Sequence, residues 1–171
     1  MADLIVETGT GVVGANSYVN SDDADIYFEK RLHASVWTDA DPDDKEIALM
    51  WATRLLEENV NWYGYITYAD QPLRFPRTGL YDVDGRDVSY TTIPQFLKDA
   101  VSEMAFHLLS EDRTLETNRD LVGLKRVKID TLDITTDGNP LSTKPVIPLS
   151  VWSIIKVYGR PYGQTRSLVR C

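Results

Sequence analysis

Three groups of side chains in this sequence could do chemistry. The first is aromatic. Trp62, Tyr63, Tyr65 and Tyr68 fall within seven residues, and exposed aromatics at that density can stack the bases of a single nucleic-acid strand. No Lys or Arg interleaves them, so the same four also read as a lid over the core. The second group is acidic. Asp82, Asp84 and Asp87 surround Gly85 with a spacing like that of a calcium loop, but no glutamate stands at the offset that completes one. Their remaining readings are a paired-acid metal site or the solvated acids of an Asp-Gly turn between two extended pieces. The third group is the two histidines. His33 reads as a partner for a helix C-terminus. His107 lies in an apolar helical stripe, with no obvious Ser or Cys and carboxylate to complete a triad. Gly9-Thr10-Gly11-Val12-Val13-Gly14 has the look of a phosphate loop, yet it lacks the Lys-Ser/Thr of a P-loop and acids follow it. No catalytic, metal or cofactor site emerges, and the chain reads as a non-enzyme.

The elements that must carry these residues belong to a chain of 171 residues with 43% apolar content, enough for one domain with a real core. No apolar run reaches eighteen residues, so no membrane span is expected. The start, Met-Ala-Asp-Leu, lacks the basic and apolar regions of a signal peptide. A single cysteine, Cys171, fits a reducing compartment. Charge is uneven. Residues 1–50 hold eleven acids against three bases, which is the whole net charge of −8, while residues 159–171 carry Arg160, Arg166 and Arg170 with no acid. An acidic body argues against a dedicated duplex-DNA binder, which needs a concentrated basic face to displace counterions.

The connector Gln71-Pro72-Leu73-Arg74-Phe75-Pro76-Arg77-Thr78-Gly79 is the stretch around which the rest is arranged. Two prolines fix φ and push Gln71 and Phe75 toward extended geometry. Leu73 and Phe75, two apart, then point to one side as anchors, Arg74 and Arg77 reach for polar partners, and Gly79 turns. This predicts a strap of Leu73, Arg74, Phe75, Pro76, Arg77 and Gly79 lying across a helix pair. Helices are predicted from Asn20 or Ser21 to about His33, and from an Asp41 cap and Pro42 to about Asn61. The second presents Ile47, Ala48, Trp51, Ala52, Leu55 and Leu56 on one face. A third runs from Ile93-Pro94 to about Ser110, and a short fourth from Pro148 to Tyr158. Leu4-Ile5-Val6 and Val12-Val13 read as short extended pieces. Leu124, Val127, Ile129, Leu132 and Ile134 approach strand alternation, with a slip at Asp130-Thr131 that suits a bulge. The expected fold is mainly α: a small bundle of about four helices with a β-hairpin near 121–147, forming one domain over 1–158. Residues 159–171 are expected to be a flexible basic C-terminal tail.

The order of motifs resembles a known family. Gly9-x-Gly-Val-x-Gly-Ala-Asn-Ser-Tyr-Val19 is followed by Ala24-Asp25-x-Tyr27-Phe28, Ala52-Thr53-Arg54-x-Leu56 and Trp62-x-Gly64. The strap and Ile93-Pro94 then complete the series. This resembles the tailed-phage proteins labelled "DnaT-like single-stranded DNA-binding protein", which look like head–tail connector, adaptor or head-completion proteins. Phe75 stands where the family leads one to expect Trp.

Two functions follow as expectations. The resemblance implies a structural virion protein at the phage neck, in the host cytoplasm during assembly. It would form a homo-oligomeric ring of about twelve copies, bound to the portal protein and to further neck or tail-completion proteins. Its docking residues would be Arg160, Pro161, Tyr162, Arg166, Leu168, Val169 and Arg170, and DNA would pass an acidic lumen without specific binding. The alternative is a single-stranded DNA-binding protein that uses Trp62, Tyr63, Tyr65 and the tail arginines, with salt-sensitive affinity for oligonucleotides.

Overall fold

A computed structural model of the chain describes residues 3–114, 127–129, 132–134 and 145–162. Asn20 caps α1 (Ser21–Phe28), its side-chain oxygen accepting from the Asp23 amide at 2.7 Å, with Asp22 and Asp23 at the positive end of the helix. The helix stops well short of His33. Arg31 turns back to clamp Glu103 with two hydrogen bonds of 2.7 and 2.9 Å, and His33 takes φ 59°. His33 therefore sits beyond a turn and not at a helix C-terminus. A single helical turn follows, α2 (Ser35–Thr38), which buries Trp37 and sends its Nε1–H to Asp25 at 2.7 Å.

Pro42 opens α3 (Pro42–Asn59), with Asp43 and Asp44 in its first turn. Its buried face is Ala48, Leu49, Ala52, Thr53, Leu55 and Leu56. Ile47 and Trp51, predicted to share that face, are 55% and 38% exposed. The chain then runs into β1 (Val60–Trp62), β2 (Tyr65–Ile66) and β3 (Arg77–Thr78). Pro94 caps α4 (Gln95–Ser110), which buries Leu97, Ala100, Val101, Met104 and Ala105. After β4 (Val127–Ile129) and β5 (Leu132–Ile134), α5 (Leu149–Ile155) contributes Val151 and Ile155 to the core, and β6 (Gly159–Pro161) follows. The core is centred where α3 and α5 pack on α4, with α1 and α2 closing one side.

The expected mainly-α bundle of four helices is overturned. Among the described residues there are five helices, of which only α3 and α4 are long, and three antiparallel strand pairs, β1–β6, β2–β3 and β4–β5. The fold is a mixed α and β arrangement. The physical reason lies in the long connection between α3 and α4. Its prolines and glycines cannot extend either helix, so its backbone groups pair in short ladders instead. Of the hairpin expected near 121–147, the described part is β4–β5. Its register pairs Val127 with Ile134, Lys128 with Asp133 and Ile129 with Leu132; the slip expected at Asp130-Thr131 lies outside the described residues. Of the expected extended piece Leu4-Ile5-Val6, Val6 bridges to Ser17.

The expected domain boundary at 158/159 also shifts. Gly159, Arg160 and Pro161 pair with Trp62, Asn61 and Val60, and the Tyr162 amide donates to the Asn59 carbonyl at 2.9 Å. Gly159 is buried, and a Cβ there would lie 2.7 Å from Val60 Cγ1. These residues are part of the fold and not of a free tail. Arg160 and Tyr162 remain exposed, and Pro161 is half-buried. Arg166, Leu168, Val169 and Arg170 lie outside the described residues.

Candidate functional site

Phe75 anchors the strap. It is 1% exposed, and its ring meets Tyr18, Trp62 and Phe96 edge-on at centroid distances of 5.9, 5.0 and 6.1 Å. The Phe75–Pro76 peptide is cis. Main-chain donors that this geometry buries are met by a relay. The Phe75 amide donates to Tyr18 Oη at 3.0 Å, Tyr18 Oη donates to Glu57 Oε1 at 2.8 Å, and the Arg74 amide donates to Glu57 Oε2 at 2.8 Å. Burial pushes the Glu57 carboxyl above its usual range and the Tyr18 hydroxyl well above its own. Arg77 is equally engaged. Its guanidinium donates to the carbonyls of Tyr63 and Gly64, both at 2.7 Å, and of Arg74 at 3.2 Å, while burial lowers its pKa. Gly64 takes φ +69°, and a Cβ there would collide with the Thr78 carbonyl oxygen at 2.4 Å. Leu73 is half-buried beside the core. These contacts tie the strap to α3, β1 and α4.

Around the strap the aromatics divide. Trp62 is 4% exposed and belongs to the core, so it can stack no base. For Trp62 alone the lid reading holds. Tyr63, Tyr65 and Tyr68 are 46%, 78% and 39% exposed. Two further tyrosines join them, Tyr81 and Tyr90, each about half exposed. Four of them, Tyr65, Tyr68, Tyr81 and Tyr90, border the same glycine-bearing segments. A Cβ on Gly79 would lie 3.8 Å from the Tyr65 ring, and Gly79 lines an open groove of about 460 Å³ with Tyr81, Asp87, Val88 and Tyr90. Tyr68 packs on the glycine loop, its ring 3.1 Å from where a Gly11 Cβ would stand, and that loop abuts Thr91 through Gly9. Tyr90 escaped the sequence reading because it sits in irregular backbone, where no periodicity marks a face. Tyr81 was legible only as part of a turn.

The other candidates have settled partners. Asp82 organises the turn of a small hairpin: its Oδ1 accepts from the amides of Asp84 and Arg86 at 2.9 Å, and Tyr81 bridges Asp87. The Arg86 amide above all, with those of Asp84 and Gly85, holds the Asp82 carboxyl below its usual value. Arg86 pairs with Asp84 at 2.6 Å. Among the described residues no cluster of three His, Cys, Asp or Glu side chains is placed to hold a metal.

The glycine loop is an anion nest filled by its own chain. Buried Glu7 accepts from the amides of Gly9, Thr10 and Gly11 on Oε1, at 2.8, 3.0 and 3.0 Å, and from Val12 on Oε2 at 2.8 Å. A phosphate would have to displace that carboxylate.

His107 Nε2 lies 2.9 Å from Ser150 Oγ and 3.9 Å from Glu103 Oε1. Hydroxyl and carboxylate thus meet the same imidazole nitrogen, so the carboxylate cannot orient the ring while Nε2 takes the serine proton. Burial lowers the His107 pKa.

Fold and site together define a small α and β domain with an exposed tyrosine face and no assembled catalytic constellation among the described residues. The chain belongs to the family described as "Putative DnaT-like ssDNA binding protein", whose model matches residues 2–170. No curated protein and no solved structure matches it. The family match overturns the connector as the principal reading: its description names single-stranded DNA binding, the alternative drawn from the aromatics.

Proposed function

We propose that this chain binds single-stranded DNA on the surface bordered by Tyr65, Tyr68, Tyr81 and Tyr90, by stacking more than by charge. The observation that supports this best is Tyr65. It stands 78% exposed on β2, leaning over Gly79 at the edge of the groove that Tyr81 and Tyr90 line. A ring held on a strand with one face in water loses little conformational entropy when a base stacks on it. Cations are scarce there. Arg77 gives its donors to main-chain carbonyls, Arg86 is paired with Asp84, and the chain carries net charge −8. Exposed Arg160, opposite Asn61 across the β1–β6 pair, can add a phosphate contact. Few phosphate contacts mean a shallow salt dependence, in contrast to the salt-sensitive binding expected from the sequence.

The test is fluorescence anisotropy with a labelled oligo-dT strand at low salt. Native protein should bind saturably, and Tyr65→Ala should weaken binding by about 5- to 150-fold, the range for loss of one stacked base. Absence of any anisotropy change for the native protein, or undiminished affinity in a Tyr65→Ala, Tyr81→Ala double variant, would refute the proposal.

A further inference from the structure

A second surface, remote from this chemistry, lies on the outward stripe of α3. The helix turns Ala48, Leu49, Ala52 and Leu56 into the core, which leaves Ile47 and Trp51, one turn apart, on the other side. With Met50, Ala15 and Leu73 of the strap they wall an open groove of about 570 Å³ whose surface is predominantly apolar. Trp51 is held in place: the Arg54 guanidinium lies 4.8 Å from its ring centroid, and Arg54 Nε donates to Glu58 at 2.7 Å. The one cation of the groove is therefore neutralised. The N-terminal end of the stripe is acidic, with Asp43, Asp44 and Glu46 in the turns beside Ile47, whereas at the far end Glu58 is paired with Arg54 and Glu57 is engaged by Tyr18 and the Arg74 amide. Asp43 and Asp44 are exposed and make no ion pair among the described residues.

An apolar floor with one acidic end selects its occupant by charge. The acids repel phosphate, so nucleic acid is disfavoured, and they complement aliphatic side chains with cations beside them. We propose that this groove docks a short polypeptide segment of another protein, one with two aliphatic residues next to lysines or arginines. The aliphatic pair would pack on Trp51 and Ile47, a pre-positioned tryptophan being the kind of residue that dominates an interface. The neighbouring cations would face Asp43 and Asp44 at the N-terminal end of the stripe, setting orientation and association rate more than affinity. The proposal is independent of the tyrosine face.

The probe is a fluorescein-labelled peptide Lys-Lys-Leu-Ile-Lys-Lys, titrated with the full chain and read by anisotropy, beside the control peptide Glu-Glu-Leu-Ile-Glu-Glu. The expected result is saturable binding of the basic peptide only. Trp51→Ala should weaken it about 10-fold or more, and Asp43→Asn with Asp44→Asn about 3-fold with a flatter salt dependence. Ile47→Ser, at a more exposed position, should weaken binding while leaving the thermal midpoint unchanged, which separates docking from folding. No saturation at millimolar peptide would overturn the proposal, and so would equal binding of the acidic control. Self-association of the chain that Trp51→Ala abolishes, without peptide binding, would place a second copy in the groove and overturn it too.

Discussion

The strap, residues 71–79, and the hairpin that follows it, residues 80–91, are built from similar material and do opposite things. Each has at least one aromatic, an arginine near a carboxylate, and turn-forming Pro, Gly or Asp. In the strap, Phe75 is 1% exposed, Arg77 donates to several carbonyls, and Glu57 from α3 accepts the Arg74 amide. In the hairpin, Tyr81 is 54% exposed, Arg86 pairs with Asp84, and Asp82 accepts amides from its own turn. One segment ties its polar groups to distant elements; the other satisfies them locally and leaves its rings in water. Residue type does not separate buried anchor from exposed surface here. The sequence distance of each residue's partner does.

The largest effect should come from Phe75. Phe75→Ala removes a ring packed against Tyr18, Trp62 and Phe96 and should lower unfolding free energy by about 3–5 kcal/mol, measured by urea denaturation. Tyr81→Ala in the hairpin should change it by no more than about 0.5 kcal/mol. Comparable losses at the two sites would break the contrast.

How far the sequence carried this contrast depends on where partners lie. The strap was legible because Pro72, Pro76 and Gly79 act through local backbone restriction, and α3 and α4 because Pro42 and Pro94 mark their starts. The rotation of α3 was not. Ile47 and Trp51 fit a helical stripe as well as Leu49 and Thr53 do, and only the position of α4 decides which stripe is buried. The end of α1 was misread because Leu32 continues the apolar period, yet it is 83% exposed; Arg31 is drawn to Glu103 on α4. The β1–β6 pair joins residues far apart in sequence, so Gly159 to Pro161 passed for a tail. Of the proposed face, Tyr65 and Tyr68 were visible within a cluster, but core Trp62 looked no different from them.

A smaller effect tests Arg77. Arg77→Lys keeps the charge, but a single ammonium cannot reach the carbonyls of Tyr63, Gly64 and Arg74 together. The variant should lose about 1–3 kcal/mol, whereas Arg86→Lys should stay within about 0.5 kcal/mol. If the two lysine variants matched, the guanidinium contacts of the strap would be incidental.

The finest test uses two carboxylates that titrate in opposite senses. Burial raises the Glu57 carboxyl above its usual 4.5. Between that value and the higher folded one the native state holds the extra proton, so this group's contribution is complete below pH 4.5 and is lost as pH rises through the folded value. Hydrogen bonds, chiefly from the Arg86 amide, lower Asp82 below its usual 3.8. Here the unfolded chain binds the proton first, so the contribution is complete above pH 3.8 and is lost as pH falls through the folded value. Urea midpoints of the native chain, Glu57→Gln and Asp82→Asn should be compared from about pH 3 to about pH 7. The native-minus-Gln difference should fall with rising pH, and the native-minus-Asn difference should rise and then level off. The second change is the smaller, because Asp82 meets its partners at the surface, where water already solvates both forms. A shared sign would mean that Glu57 is stabilised as an anion by Arg74 and Arg77 more than burial disfavours it. The strap would then be held by charge more than by the hydrogen bonds through Tyr18.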